Sequence, residues 1–472
     1  MSILKTLLKK LGVAEVRVSD LQSSAKNVRT RTSRKKFRQA IEVDLEITDE
    51  FKLVIEFIKT HSPLILVTGV AGTGKSTLVR YLGETLKKNI AIIAPTGVAA
   101  MNIGGSTIHS FFKYPPRLLT NSDIRYARDR TLYEKLDLLI IDEISMVRAD
   151  MMDAISMFLQ KNRSCYDRSF GGVQLLLVGD LFQLPPVIAT EEEQEYLNRT
   201  YPTPLFFGAK ALRDLTMSVV ELSKVFRQED QEFIALLNSM RRGKNLIHAL
   251  ESLNSACCKS SDENDDTVVL TPTNRAASRI NSNRLQEILE PESQYEGELV
   301  GNIRVDKEKL PSPYNLVVKK GARVMFTKND PARRWVNGTT GMITKLTKDT
   351  IHVEIQKSEG SVVHEVNPVK WERVTYEYNY ATNRIEAMVA GHYRQFPLML
   401  AWAITIHKSQ GKTIDKVVID LGDGAFASGQ VYVALSRCPT LSGIRFRRAI
   451  SKEEVILDSQ IVDFYNSIDT AR

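Results

Sequence analysis

An apolar run, Leu64-Ile-Leu-Val-Thr68, breaks straight into Gly69-Val70-Ala71-Gly72-Thr73-Gly74-Lys75-Ser76, and no other junction constrains the fold as much. Gly69, Gly72 and Gly74 let backbone N–H groups turn inward around a polyphosphate. Lys75 brings a point charge to the terminal phosphates, and Ser76 offers its hydroxyl to a divalent cation. Such a loop works when a strand delivers it and a helix leaves it, so its peptide dipoles face the anion. The spacing predicts strand, loop, helix, with Thr73 in the cradle and Thr77 in the first helical turn.

Further short apolar runs, Ile90–Ala94, Leu136–Ile141 and Val173–Val178, alternate with helical or loop material. That is the pattern of a parallel sheet covered on both faces, expected over residues 45–210. Asp142-Glu143 closes one of these runs. Two carboxylates at a strand's carboxyl end suit a metal-holding Asp142 and a Glu143 that orients or deprotonates an attacking water. Gln183, in Gly179-Asp180-Leu-Phe-Gln183, is placed to respond to a terminal phosphate, or simply closes a turn. Arg227 and Arg437 lie far downstream. A guanidinium fork fits phosphate oxygens, so each reads as a finger reaching from a second lobe, against the commoner reading of a surface ion pair.

The second lobe is expected over residues 211–294 and 386–472, starting with Ser218–Leu222 and including Val268–Pro272 and Lys416–Asp420. It is interrupted by a β-rich insert over 295–385, whose β-branched, alternating stretches and Asn337-Gly338 turn signal differ from the rest. Lys113–Lys135, with Arg117, Arg125, Arg128 and Arg130, lacks strand periodicity and reads as a surface excursion. Candidates for holding a nucleic acid are Thr96, Thr107, His109, Phe111, Phe112, Thr271, Asn274, Trp335, Trp402, His407, Lys408 and Ser409, since hydroxyls and amides hold phosphates and aromatic faces stack on bases. By composition Phe111, Phe112 and Trp402 equally suit a core, and His407 equally suits bracing its own loop.

The net charge of +8 is misleading: residues 1–40 hold eleven Lys/Arg against Glu15 and Asp20, leaving −1 for the other 432 residues. Any basic groove in the body must therefore be local. The leader, residues 1–44, reads either as a phosphate-gripping arm or as a solvated tail; its amphipathic start also fits a mitochondrial presequence, with Glu15 and Asp20 counting against that. No run reaches the eighteen or so apolar residues of a bilayer span, so no membrane is implied. Four cysteines without zinc-ligand spacing point to a reducing, intracellular setting: cytoplasm in a bacterium, nucleus or mitochondrion in a eukaryote.

In order, GVAGTGKST, APTGVAA with GGSTIHSFF, LLIIDEISMV, LLLVGDLFQLPPV, FRQ, LTPTNR, AWAITIHKSQGKT and VYVALSR resemble the motif series of Pif-type helicases, in superfamily one, subfamily B, alongside the RecD and phage Dda helicases. The resemblance covers about residues 47–450. It implies an α/β fold of two RecA-like parallel-sheet lobes with a small β-barrel insert in the second. It implies ATP and Mg2+ as cofactors, and a monomer moving 5′ to 3′ on single-stranded DNA and opening forked or structured DNA; an RNA–DNA hybrid stays open as a further partner. It assigns Lys75, Glu143, Gln183, Arg227 and Arg437 to catalysis, Ser76 and Asp142 to the metal, Gly411 to the nucleotide side, and Thr96, His109, Thr271, His407 and Lys408 to the DNA path. Lys113–Lys135 matches the region carrying the wedge or pin. One departure stands out: Phe51 occupies the place of a Gln that reads adenine in the family. Two other readings stay open, a P-loop phosphotransferase and a DNA-dependent ATPase clamp that separates no strands.

Overall fold

The computed structural model describes residues 47–470, apart from residues 189, 229, 259–266, 302–306 and 358–359. The basic leader lies outside the described residues. Among the described residues no helix is long and apolar enough to cross a membrane.

The first lobe follows the expected alternation. Helix α1 (Asp49–Lys59), capped by the Thr48 hydroxyl, precedes β1 (Leu64–Gly69), and α2 (Lys75–Thr85) leaves the glycine loop. Strand β2 (Ile90–Ala94), α3 (Gly97–Ile103), β3 (Ser106–Thr107), α4 (Ile108–Phe112), β4 (Leu138–Ile141), α5 (Ala149–Arg163), β5 (Gln174–Val178) and β6 (Met217–Leu222) complete it. The six strands are parallel, in the order β3-β2-β4-β5-β1-β6. β1, β4 and β5 are buried along their whole length, as continuous apolar runs in a two-faced sheet must be.

Strand β6 corrects the sequence reading. Ser218–Leu222 was expected to open the second lobe, yet it pairs with β1 from Leu64↔Met217 to Gly69↔Leu222 and forms the edge of the first sheet. Gly69 makes this possible, because a Cβ there would lie 2.6 Å from the Leu222 carbonyl oxygen. The excursion, Lys113–Lys135, contains no strand and is tied down to α5: Lys161 Nζ donates to the Ile124 carbonyl at 2.8 Å, and the Ala127 N–H donates to Asn162 Oδ1 at 2.7 Å.

The second lobe begins with α6 (Gln231–Arg242), β7 (Val268–Thr271) and α7 (Asn274–Glu287). The chain then enters the insert: β8 (Glu292–Glu296), β9 (Glu298–Gly301), β10 (Asn315–Lys319), β11 (Arg323–Phe326), β12 (Thr340–Leu346), β13 (Ile351–Lys357), β14 (Gly360–Val366), β15 (Val369–Asn379), β16 (Arg384–Gln395) and β17 (Leu398–Leu400). The insert thus reaches from 292 to 400, wider than expected. Among the described residues its ladders form three open sheets, β14-β13-β12-β11-β17, β10-β8 and β15-β16-β9, rather than a closed ring. The lobe resumes with β18 (Ala403–Thr405), α8 (Ile406–Ser409), β19 (Val417–Ile419), α9 (Gln430–Leu435), β20 (Ile444–Phe446) and α10 (Ser459–Thr470), giving a parallel sheet β18-β7-β19-β20.

The β15–β16 hairpin docks back on the first lobe. The Tyr376 hydroxyl accepts from the Ile92 N–H at 3.0 Å and donates to the Ile92 carbonyl at 3.1 Å, standing in for a strand partner where β3 is too short. Arg373 donates to Ser110 Oγ at 2.9 Å, and the Ile385 N–H donates to Asn89 Oδ1 at 3.0 Å.

Candidate functional site

The glycine loop does what its composition predicts. Gly72 and Gly74 have φ of +87° and +84°, a left-handed conformation that side chains resist, and Gly74 caps α2. Lys75 Nζ donates to the carbonyls of Gly69 at 2.7 Å and Val70 at 2.8 Å, while Thr73 Oγ1 donates to the Val70 carbonyl at 2.9 Å. Ser76 and Thr77 are exposed at the helix start. Asp142 and Glu143 follow β4. Glu143 adopts a φ of +52°, a conformation costing about 1–3 kcal/mol for a non-glycine residue, and such strain collects at functional positions. Burial pushes the Asp142 carboxyl up to about 6. Burial, and then the Asp142 charge, pushes Glu143 up to about 7, against the pull of Lys75 and Arg437. Burial lowers the pKa of the Lys75 amine, with Asp180 and Glu143 pulling it back. A buried carboxylate that accepts from the Glu143 N–H at 2.9 Å, and an exposed Ser76 hydroxyl at the start of α2, are oxygen donors of the kind a divalent cation takes.

The link from β6 to α6, rather than the second lobe as expected, brings Phe226 and Arg227 onto this cradle, and the second lobe closes over both. The Phe226 N–H donates to the Gly72 carbonyl at 2.9 Å, and Arg227 packs so near that a Cβ on Gly72 would lie 2.6 Å from its own Cβ. Arg227 Nη1 donates to the Ser436 carbonyl at 3.0 Å. Arg437 is buried next to it, donating to the carbonyls of Val433, Ser409 and Lys412; burial, and then the like charge of Arg227, holds its pKa well below that of an ordinary guanidinium. Gln410 Nε2 donates to Gln183 Oε1 at 3.0 Å and to Glu143 Oε2 at 3.4 Å, and the Tyr432 hydroxyl accepts from the Ala71 N–H at 3.1 Å. So the predicted Lys75, Glu143, Gln183, Arg227 and Arg437 meet at one seam. Gly411 lies beside Gln410, its Cα facing open space.

Sequence reasoning missed several members. Gln410, Tyr432 and Asp180 sit inside stretches it singled out, but nothing in their composition marks them as facing the other lobe. Phe226 was also passed over. Its ring is 50% exposed, and with buried Phe51 it flanks Gly74, the two rings 3.7 and 3.6 Å from where a Cβ would stand.

The predicted nucleic-acid residues divide. Thr96 and Thr107 sit at the ends of β2 and β3, but their hydroxyls cap α3 and α4, accepting from the N–H groups of Ala99 and Ser110. Thr273 and Thr405, beyond β7 and at the end of β18, cap α7 and α8 in the same way. His109 and His407 are half-buried; Asn274 and Lys408 are exposed. Four expectations are corrected by burial. Phe111 is core, edge-on to Phe112, Tyr133 and Tyr376. Trp335 stacks on Phe326 at 4.2 Å inside the insert. Thr271 is buried at the end of β7, and Ser409 Oγ donates to the Ile406 carbonyl. Apolar area is worth most removed from water, and Phe111 and Trp335 follow that rule rather than the one that exposes a stacking face.

The family model described as PIF1-like helicase matches residues 46–249. The ATP-dependent DNA helicase Pif1 of Bdellovibrio bacteriovorus is 33% identical over 90% of this chain and 93% of its own. The human ATP-dependent DNA helicase PIF1 is also 33% identical, and this chain spans 62% of it. Two crystal structures of Bacteroides sp. Pif1 cover 91% of this chain and 98% of theirs: the complex with ADP-AlF4 at a TM-score of 0.83 and 35% identity, and the form bound to ssDNA at 0.64 and 36%. With motifs and parallel lobes agreeing with these likenesses, the chain belongs to the PIF1-like helicase family.

Proposed function

We propose that this chain is an ATP-dependent DNA helicase that moves 5′ to 3′ on single-stranded DNA and separates duplex, forked or structured DNA, an RNA–DNA hybrid being a further substrate. One observation carries the reading: the phosphate cradle is built by one lobe and closed by side chains of the other. Gain or loss of a phosphate then acts on the interlobe contact, which is how hydrolysis becomes movement.

Lys75, the loop N–H groups, Ser76 and Thr77 hold the ATP phosphates, and Asp142 with Ser76 holds Mg2+, which supplies charge neutralisation at the phosphates. Glu143, with a pKa lifted towards neutrality by burial, orients and deprotonates water. Gln183 responds to the terminal phosphate, and Arg227 and Arg437 stabilise charge developing on it. The open ring of Phe226 offers the adenine a face to stack on, which replaces the missing Gln at Phe51. The peptide N–H groups of the turns capped by Thr96, Thr107, Thr273 and Thr405, together with His109, Asn274, His407 and Lys408, grip the DNA backbone. One chain suffices for this chemistry, and the protein works inside the cell.

ATPase rates with and without single-stranded DNA test the motor, a rate indifferent to DNA sinking it. Lys75→Ala should abolish turnover yet keep strand binding; unaltered turnover would refute the site. Paired forks with a 5′ or 3′ single-stranded arm test polarity, and a DNA-stimulated ATPase that displaces no strand from either would make the chain a clamp instead.

A further inference from the structure

Tyr432 is the phenol of a second-lobe helix, α9, yet both partners of its hydroxyl belong to the first lobe. It accepts from the Ala71 N–H of the phosphate loop at 3.1 Å and donates to Asp180 Oδ2 at 2.8 Å. The ring is buried, so water cannot replace either bond while the lobes stay together. The same Asp180 oxygen also accepts from Gln183 Nε2 at 3.2 Å, and Gln183 Oε1 accepts from Gln410 at 3.0 Å. Gln410 directly follows α8, the helix of His407 and Lys408. A hydrogen-bonded chain therefore runs from the phosphate loop through Tyr432, Asp180 and Gln183 to the edge of the candidate DNA path, crossing the seam three times.

We propose that Tyr432 is a positioning residue whose hydroxyl couples closure of the seam to hydrolysis: by holding Asp180, it fixes the amide of Gln183 in the orientation that faces both the nucleotide and Gln410. Both bonds join the second lobe to the first, so both are held while the lobes are packed as here. Opening leaves a buried N–H without its partner and releases one of the donors that hold Asp180. The role acts through Gln183, so it rests on reading the chain as a DNA-stimulated ATPase.

The test is a double-mutant cycle of Tyr432→Phe and Gln183→Ala in the full-length chain, read as steady-state ATPase with saturating oligo-dT and as melting temperature. Tyr432→Phe keeps the ring and removes only the oxygen. It should lower the DNA-stimulated kcat about tenfold, within the range seen when groups linking two sites are changed, with KM for ATP moving less than about twofold. In the Gln183→Ala background the same change should cost almost nothing further. Independent, multiplying losses in the double variant would show that Tyr432 does not act through Gln183 and would overturn the proposal, as would an unchanged kcat in Tyr432→Phe. A wild type that ignores DNA would remove the motor reading itself, whereas a DNA-responsive wild type matched by Tyr432→Phe would remove only the part given to Tyr432.

Discussion

Gly72→Ala isolates the contact between the phosphate loop and Arg227, in the link from β6 to α6. Gly72 has a φ of +87°, and an added Cβ would stand 2.6 Å from Arg227 Cβ and 3.4 Å from its backbone nitrogen. Carbon atoms settle at about 3.5–4.0 Å, so one side must give by about 1 Å. The loop is the stiffer partner, because Gly69 and Gly74 hold it at positive φ and Lys75 is bonded to its carbonyls. Arg227 therefore retreats, losing its bond to the Ser436 carbonyl. Misplacing a transition-state group by that much costs on the order of 100-fold in rate, about 2.7 kcal/mol at 1.36 kcal/mol per tenfold. The left-handed backbone adds about 1–2 kcal/mol of strain, felt as lost stability rather than lost rate. Gly321→Ala is the control, with a φ of +85° and nothing within 4 Å, so it carries the strain without the collision. Steady-state ATPase in saturating single-stranded DNA should show kcat down about 100-fold for Gly72→Ala with KM for ATP little changed, because the atoms that bind phosphate stay in place. A kcat within about threefold of wild type, or a loss carried by KM alone, would refute the argument that Arg227 works from this contact.

Two further outcomes follow from buried charge. Arg241 donates through Nε to Asp180 at 3.1 Å, both side chains being almost inaccessible, so Arg241→Met should cost about 3–5 kcal/mol in a denaturant titration by stranding the carboxylate; a loss below about 1 kcal/mol would mean water reaches the pair. Burial pulls the Lys412 amine, which donates to Asn337 Oδ1 at 2.8 Å, down to about 8 from an unfolded value of about 10.4. Below pH 8 both states hold the proton and the folded protein bears the whole cost of the buried ammonium; between 8 and 10.4 only the unfolded chain keeps it, so this group makes stability rise with pH by up to about 3 kcal/mol. Lys412→Met should flatten that rise, and a difference from wild type that stays constant between pH 7 and 9.5 would exclude it.

The local part of the fold was readable in the sequence, and the non-local part was not. Leu64–Thr68, Ile90–Ala94 and Leu138–Ile141 announce themselves because a strand buried on both faces must be apolar throughout, and the glycine loop announces itself because φ above zero needs glycine. Ser218–Leu222 was recognised as a strand but given to the wrong sheet, since its pattern states which faces are wet and not which neighbour supplies the hydrogen bonds. The stacking candidates failed for a related reason: an aromatic ring such as Phe111 or Trp335 has the same composition whether it meets a base or a core. The hydroxyls of Thr96 and Thr107 are already engaged, because a threonine hydroxyl before a helix is first drawn to the helix's own orphan N–H groups. Tyr432 and Gln410 find partners hundreds of residues away in the chain, and no period or spacing encodes that.

The contacts that cross between the lobes differ in kind along the seam, and the difference bears on how it opens. Where the chain passes from β6 into α6, the contacts are charged: the buried Arg241 on buried Asp180 and on half-buried Glu221, half-buried Arg242 on Glu221, with Tyr465 of α10 bonded to the same Glu221. Removing one member of such a set costs several kcal/mol, so separating them is expensive at every turn of a cycle. Beside the phosphate loop the contacts are hydrogen bonds: Gln410 to Gln183 and Tyr432 to Ala71, each worth about 0.5–1.5 kcal/mol net, and Tyr432 to the Asp180 carboxylate, worth about 1.5–3 kcal/mol because its acceptor is charged. A seam with strong contacts at the chain crossing and weak ones at the nucleotide yields first at the nucleotide and pivots at the crossing.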